Sequence, residues 1–159
     1  EEAAWRDALK LHRAQWKQLM HAALAHAPHP LPDDVALNVL LGDDATVHRL
    51  NRDYRDRDKP TNILSFPQIA DWADGETVAE RLAEPEPELG DLVLGWGVCA
   101  AEAADQGKTI RDHVGHLLVH GALHLLGYDH AEDGNATAME ALETAILAAH
   151  GVPDPYHTL

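Results

Sequence analysis

Apolar side chains recur at three- and four-residue steps through residues 2–27. Trp5, Leu9, His12, Trp16, Leu19 and Leu24 fall on one side of a helix, with the two tryptophans as core anchors. Pro28, Pro30 and Pro32 end that helix, since proline cannot donate a backbone hydrogen bond. The run VALNVLL inside 33–41 predicts a short strand, and Gly42, Asp43 and Asp44 a turn into a helix over 44–54. A strand over 61–66 is stopped by Pro67, another short buried strand covers 91–94, and a helix over 97–106 stops at Gly107. Thr109 is placed to cap the next helix, with Asp112 three residues on. The last helix turns Met139, Leu142, Ile146 and Leu147 inward, leaves Glu140 and Glu143 as exposed helix formers, and ends by Gly151 and Pro153.

One segment breaks the pattern. Residues 68–90 are acidic and carry Gly75, Pro85 and Pro87, so they predict a long mobile insertion with one helical turn near 76–83. Strands alternating with helices, and no second boundary, predict a single α+β domain over 1–159. Its helices pack on a small mixed sheet of about three or four strands.

The candidate chemistry lies in residues 113–130, HVGHLLVHGALHLLGYDH, which hold five of the chain's twelve histidines. His120 and His124 are one helical turn apart and project from one face. Gly127 can end the helix in the left-handed region, and a chain folding back there can bring His130 beside the pair. Three neutral imidazoles with one open position suit a catalytic zinc. The spacing and the glycine match the H-E-x-x-H-x-x-G-x-x-H pattern of zinc proteases, but Gly121 stands where their glutamate does. His113 and His116 share the helix face, so spacing alone also permits a 113/116/120 set or a 116/120 pair. The bend after Gly127 and the short residue at 121 favour 120/124/130. His113 and His116 are then packing groups or groups that orient ligands.

Charge changes the picture in one place. The chain carries 27 acidic and 12 basic residues, a net charge of −15, which argues against indiscriminate nucleic-acid binding. Residues 49–59 run the other way, with Arg49, Arg52, Arg55, Arg57 and Lys59 against Asp53, Asp56 and Asp58. A solvated, salt-bridged loop accounts for any single arginine there; as a group they can anchor a polyanion, one turning inward to meet a phosphate. The lone Cys99 rules out an internal disulfide and suits a reducing cytoplasm, and no apolar run reaches membrane-spanning length.

Taken together, HGALHLLGYDH (120–130), LNRDYRDRDKPTNILSFP (50–67), LGDLVL (89–94) and MEALETAILAAHGVPDPY (139–156) make the chain similar to the YbeY family of bacterial endoribonucleases, the rRNA maturation factors. The resemblance implies one zinc per chain held by His120, His124 and His130, with a functional Arg55 near it. It also implies action on single-stranded RNA in 16S rRNA 3′-end maturation and ribosome quality control. The implied partners are rRNA, the small ribosomal subunit and its assembly factors, in the cytoplasm, with no membrane and no DNA. Two departures stand out: the family usually opens with a strand before the first helix, and 68–88 is longer and more acidic here.

On that reading Arg55 holds the phosphate and steadies its developing charge, and Lys59 is a further substrate contact. The ribose 2′-hydroxyl offers an internal nucleophile, which makes Gly121 tolerable. Asp91, Asp129 and His116 are candidates for orienting ligands or handling protons. The competing classes are a metal-dependent hydrolase of another substrate, such as a peptide, and a non-catalytic ribosome-assembly factor with a structural zinc.

Overall fold

The computed structural model describes residues 1–129 and 133–156. In chain order the elements are α1 (Glu2–Leu24), β1 (Ala36–Gly42), α2 (Asp44–Arg55), β2 (Ile63–Pro67), α3 (Gly75–Leu82), β3 (Glu88–Gly95), α4 (Trp96–Asp105), α5 (Ile110–Leu125) and α6 (Asp133–Ala149). The three strands form one mixed sheet in the order β1-β3-β2, with β1 parallel and β2 antiparallel to β3. The α+β class and the small mixed sheet follow the sequence expectation, and β2 is left as an edge.

α5 is the axis of the molecule. Ten of its sixteen residues are buried, because α1, α6 and the sheet all pack on it. Thr109 caps its start by accepting from the Asp112 backbone N–H at 3.1 Å. Trp16 reaches over from α1 and donates its indole N–H to the Arg111 carbonyl at 3.0 Å, while Trp5 donates to Gly42 at 2.8 Å. Both tryptophans are buried, so each large apolar body comes with its one donor satisfied.

Alternation sorts the sheet into two faces. Ile63, Leu92 and Leu94 belong to the main core that α5 fills. Leu64 and Val93 face the other way and pack with Val47 of α2, flanked by Leu50 and Phe66. Gly121 shows how tightly α5 sits on the first face. A Cβ there would lie 2.8 Å from Leu92 Cδ2 and 2.9 Å from Ile63 Cδ1.

Residues 68–90 are not the loose insertion that their composition suggests. Ile69, Val78 and Leu82 enter the main core, and α3 is a full helix capped by Asp74. The apolar residues at 78 and 82 are one turn apart, a signal drowned by the surrounding acids.

Candidate metal centre and cleft

α5 ends beside the site in a Schellman motif. The Tyr128 N–H reaches the Leu123 carbonyl at 3.1 Å, the Gly127 N–H reaches His124 at 3.0 Å, and Gly127 takes φ +95°. Trp72 closes over this bend. Its indole N–H donates to the Leu125 carbonyl at 3.0 Å, and its Cδ1 lies 2.7 Å from where a Cβ on Gly127 would be. Any side chain at 127 would therefore meet both backbone strain and the Trp72 ring. The chain turns at Gly127 as the sequence predicts. His130 itself lies outside the described residues.

His120 and His124 face one another, with their Nε2 atoms 3.0 Å apart. Their electronic state is fixed from behind. His120 Nδ1 is hydrogen-bonded to Glu143 Oε1 of α6, and Glu143 Oε2 accepts from the Tyr156 hydroxyl. Burial pushes the Glu143 carboxyl upward, but hydrogen bonds from His120 and Tyr156, with His116 3.9 Å away, win and hold it down at about 2. An ionised carboxylate can only accept, so His120 Nδ1 carries a proton, and in the neutral imidazole its Nε2 presents a lone pair toward His124. Burial and the facing carboxylate push the Tyr156 phenol far above its ordinary value, so it keeps its proton and gives it to Glu143. The hydroxyl then accepts from His116 Nε2 at 3.2 Å. Protons run His116 to Tyr156 to Glu143, and His120 to Glu143.

These donors fit a zinc-sized ion. Ligand nitrogens about 2.0–2.1 Å from a tetrahedral ion lie roughly 3.3 Å apart, close to the observed pair. A carboxylate behind the ligating imidazole is the usual support for such a ligand. His116, His120 and Glu143 also offer atoms within 4.8 Å of one another and could hold a metal ion as a group.

The pair opens into a cleft of about 520 Å³ lined by Arg55, Asn62, Ser65, His116, His120 and His124 among others. Arg55 thus shares the cleft with the histidines although 65 residues separate it from His120. It arrives from the last turn of α2, donates to the Ser65 carbonyl, and lays its guanidinium 5.0 Å from the Phe66 ring centroid.

Other expected residues fall elsewhere. Lys59 is exposed, its carbonyl held by Asn51 at 2.9 Å, and its side chain is not among the residues lining the cleft. Asp91 lies on the α2 face of the sheet, paired in register with Phe66, and accepts from Asn38 at 3.1 Å. Asp129 is exposed just past the bend. His113 points away from the cleft to Glu102 at 3.0 Å, and burial lowers its affinity for a proton.

Glu143 requires a correction: expected as an exposed helix former, it is fully buried at the centre of the polar network. It lies one turn from Met139 and from Leu147 on the inward face of α6, which was the available signal.

Fold and cleft together define an α+β domain whose central helix presents a histidine cluster able to hold a metal ion. The profile of the family described as Endoribonuclease YbeY matches residues 3–151. The chain is 50% identical over 154 residues to the Endoribonuclease YbeY of Paramagnetospirillum magneticum, covering 96% of this chain and 90% of that one. With its counterpart in Halorhodospira halophila it shares 55% over 120 residues, 76% of this chain and 73% of that one. The chain belongs to the YbeY endoribonuclease family. A Thermotoga maritima protein solved in solution has the same fold, with a TM-score of 0.51, 19% identity and 91% of each chain covered. Among the described residues no helix is long and apolar enough to cross a membrane.

Proposed function

We propose that residues 1–159 form one metal-dependent hydrolase domain that cleaves single-stranded RNA. Its zinc is held by His120, His124 and His130. The observation that carries this is the cleft itself, where a guanidinium from α2 and the paired histidines of α5 line one open space. A zinc ion bound there would supply an acidified water and Lewis acidity toward a phosphoryl oxygen. The chain's own residues do the rest. Arg55 is held at the cleft by Ser65 and Phe66, and it positions the phosphate and balances charge that gathers on its oxygens. Glu143 keeps His120 in the ligating tautomer, and Tyr156 and His116 keep Glu143 ionised.

Gly121 fits this chemistry better than peptide hydrolysis. A side chain at position 121 would press on Leu92 and Ile63, so α5 has no room for a protease glutamate there. Cys99 does not compete as a fourth ligand. It is buried, its thiol is pushed up to about 12 by desolvation, and it points to the Asn62 carbonyl at 3.5 Å. A set of three histidine ligands would leave one position for water or substrate, which suits catalysis over a purely structural zinc. The setting is the cytoplasm, with 16S rRNA 3′ ends as substrate and the small ribosomal subunit and its assembly factors as partners.

The test places zinc-loaded and chelated protein with single-stranded RNA and with a denatured protein substrate, side by side. Cleavage of RNA alone, lost on chelation and restored by zinc, is the expected result. Proteolysis, or undiminished RNA cleavage after chelation, contradicts the proposal.

A further inference from the structure

The second face of the sheet carries a pocket that the cleavage chemistry does not use. It measures about 300 Å³ and is lined by Leu50, Tyr54, Phe66, Asp91 and Val93. Tyr54 is 70% exposed, a costly position for a large ring, and stands edge-on to Phe66 with centroids 5.9 Å apart. Leu40, the register partner of Val93, extends the apolar surface and is 51% exposed. Among the described residues Asp91 is the one charged group lining this pocket, and Asn38 fixes its Oδ1.

This pocket and the cleft are neighbours across one strand. β2 is an edge strand, with Ile63 and Ser65 turned to the cleft and Leu64 and Phe66 turned to α2. Arg55 joins the two sides, since it stacks on Phe66, bonds the Ser65 carbonyl and lines the cleft. A phosphate that met Arg55 would therefore lie beside both the cleft and the Tyr54–Phe66 pocket.

We infer that the Tyr54–Phe66 pocket is a base subsite, which takes an unstacked nucleobase adjacent to the phosphate held at Arg55, with Asp91 accepting from the base's exocyclic amino group. The inference rests on the RNA-cleaving reading above. Flat aromatic walls suit any base face, and single-stranded nucleic acid is commonly held by stacking of this kind beside a cationic group. A carboxylate lining the pocket repels phosphate but accepts from cytosine, adenine or guanine. Uracil has no amino group to offer. A protein side chain could fill the same apolar space, but continuity with Arg55 favours the nucleic acid.

The experiment walks one abasic nucleotide along a short single-stranded RNA, with the cleaved bond mapped from the products. Zinc-loaded wild type and Tyr54→Ala are compared; Tyr54 is exposed, and alanine suits a helix. At one position next to the cleaved bond the abasic change should raise KM about tenfold in wild type and leave Tyr54→Ala unaffected. At that position cytidine should outperform uridine in wild type, and Asp91→Asn should level the two. Equal abasic losses in both proteins at every position would overturn the subsite while the cleavage reading stands. So would a Tyr54→Ala protein that handles every oligonucleotide as wild type does, which would leave the patch to a protein partner. If zinc-loaded wild type neither binds nor cleaves the parent RNA, both readings fall together.

Discussion

Replacing Glu143 by glutamine keeps the shape of α6 and removes one buried charge. The fall of its carboxyl from 4.5 to about 2 corresponds to roughly 3 kcal/mol of preference for the ionised form. The hydrogen bond from His120 is one of the two direct contacts that supply this preference against the opposing effect of burial. The same interaction makes His120 a better ligand. Its loss predicts zinc affinity about tenfold weaker, at the lower end of the usual range for a partner behind a ligand. Competition with a chromophoric chelator at neutral pH measures this directly, and a thermal melt of the metal-free protein shows whether the fold survives. Wild-type affinity in Glu143→Gln would refute the supporting role. Complete loss of zinc in Glu143→Gln, with full retention in His124→Ala, would make Glu143 itself a ligand with His116 and His120.

Three further outcomes follow from the same geometry. Arg55→Ala should keep zinc and fold while RNA cleavage drops by about two orders of magnitude or more, measured as kcat/KM; unchanged cleavage rejects its role. Gly121→Ala should lower stability in urea unfolding by about 1–3 kcal/mol because the added methyl presses Leu92 and Ile63; a neutral result would mean that α5 can lift from the sheet at no cost. Cys99 should resist a thiol reagent at pH 8 until denaturant is added. Its folded pKa lies above its unfolded value, so the stability it gives is complete below pH 9. That stability drains by about 1.4 kcal/mol per unit as pH rises toward 12, and Cys99→Ala should remove the slope between pH 9 and 10, leaving the similar loss that Tyr156 adds above 10.

What could be read from the letters was whatever depends on local spacing. The His120–His124 pair, the Thr109 cap and the turn at Gly127 are set within one or two helical turns, and all three stand as expected. The role of Asp91 was not legible, because alternation places it with Val93 but only tertiary packing decides which face α5 covers. Tyr156 follows two prolines in a tail without periodicity, and its approach to Glu143 is a long-range contact of α6 and the tail with no sequence signature. Glu143 was misassigned by composition, since a glutamate in a helix is usually solvated, although its spacing from Met139 and Leu147 pointed inward. The surrounding acids hid Trp72 in the same way, and they let α3 show only as the single helical turn expected near 76–83, not as a helix that enters the core.

The account turns on which atoms hold the metal, and a zinc-loaded crystal measured at the zinc absorption edge tests that most directly. The predicted result is one anomalous peak bonded to a ring nitrogen each from His120, His124 and His130, with a fourth ligand that is not protein. A peak bonded to the Glu143 carboxylate, or enclosed by four protein ligands, would contradict it.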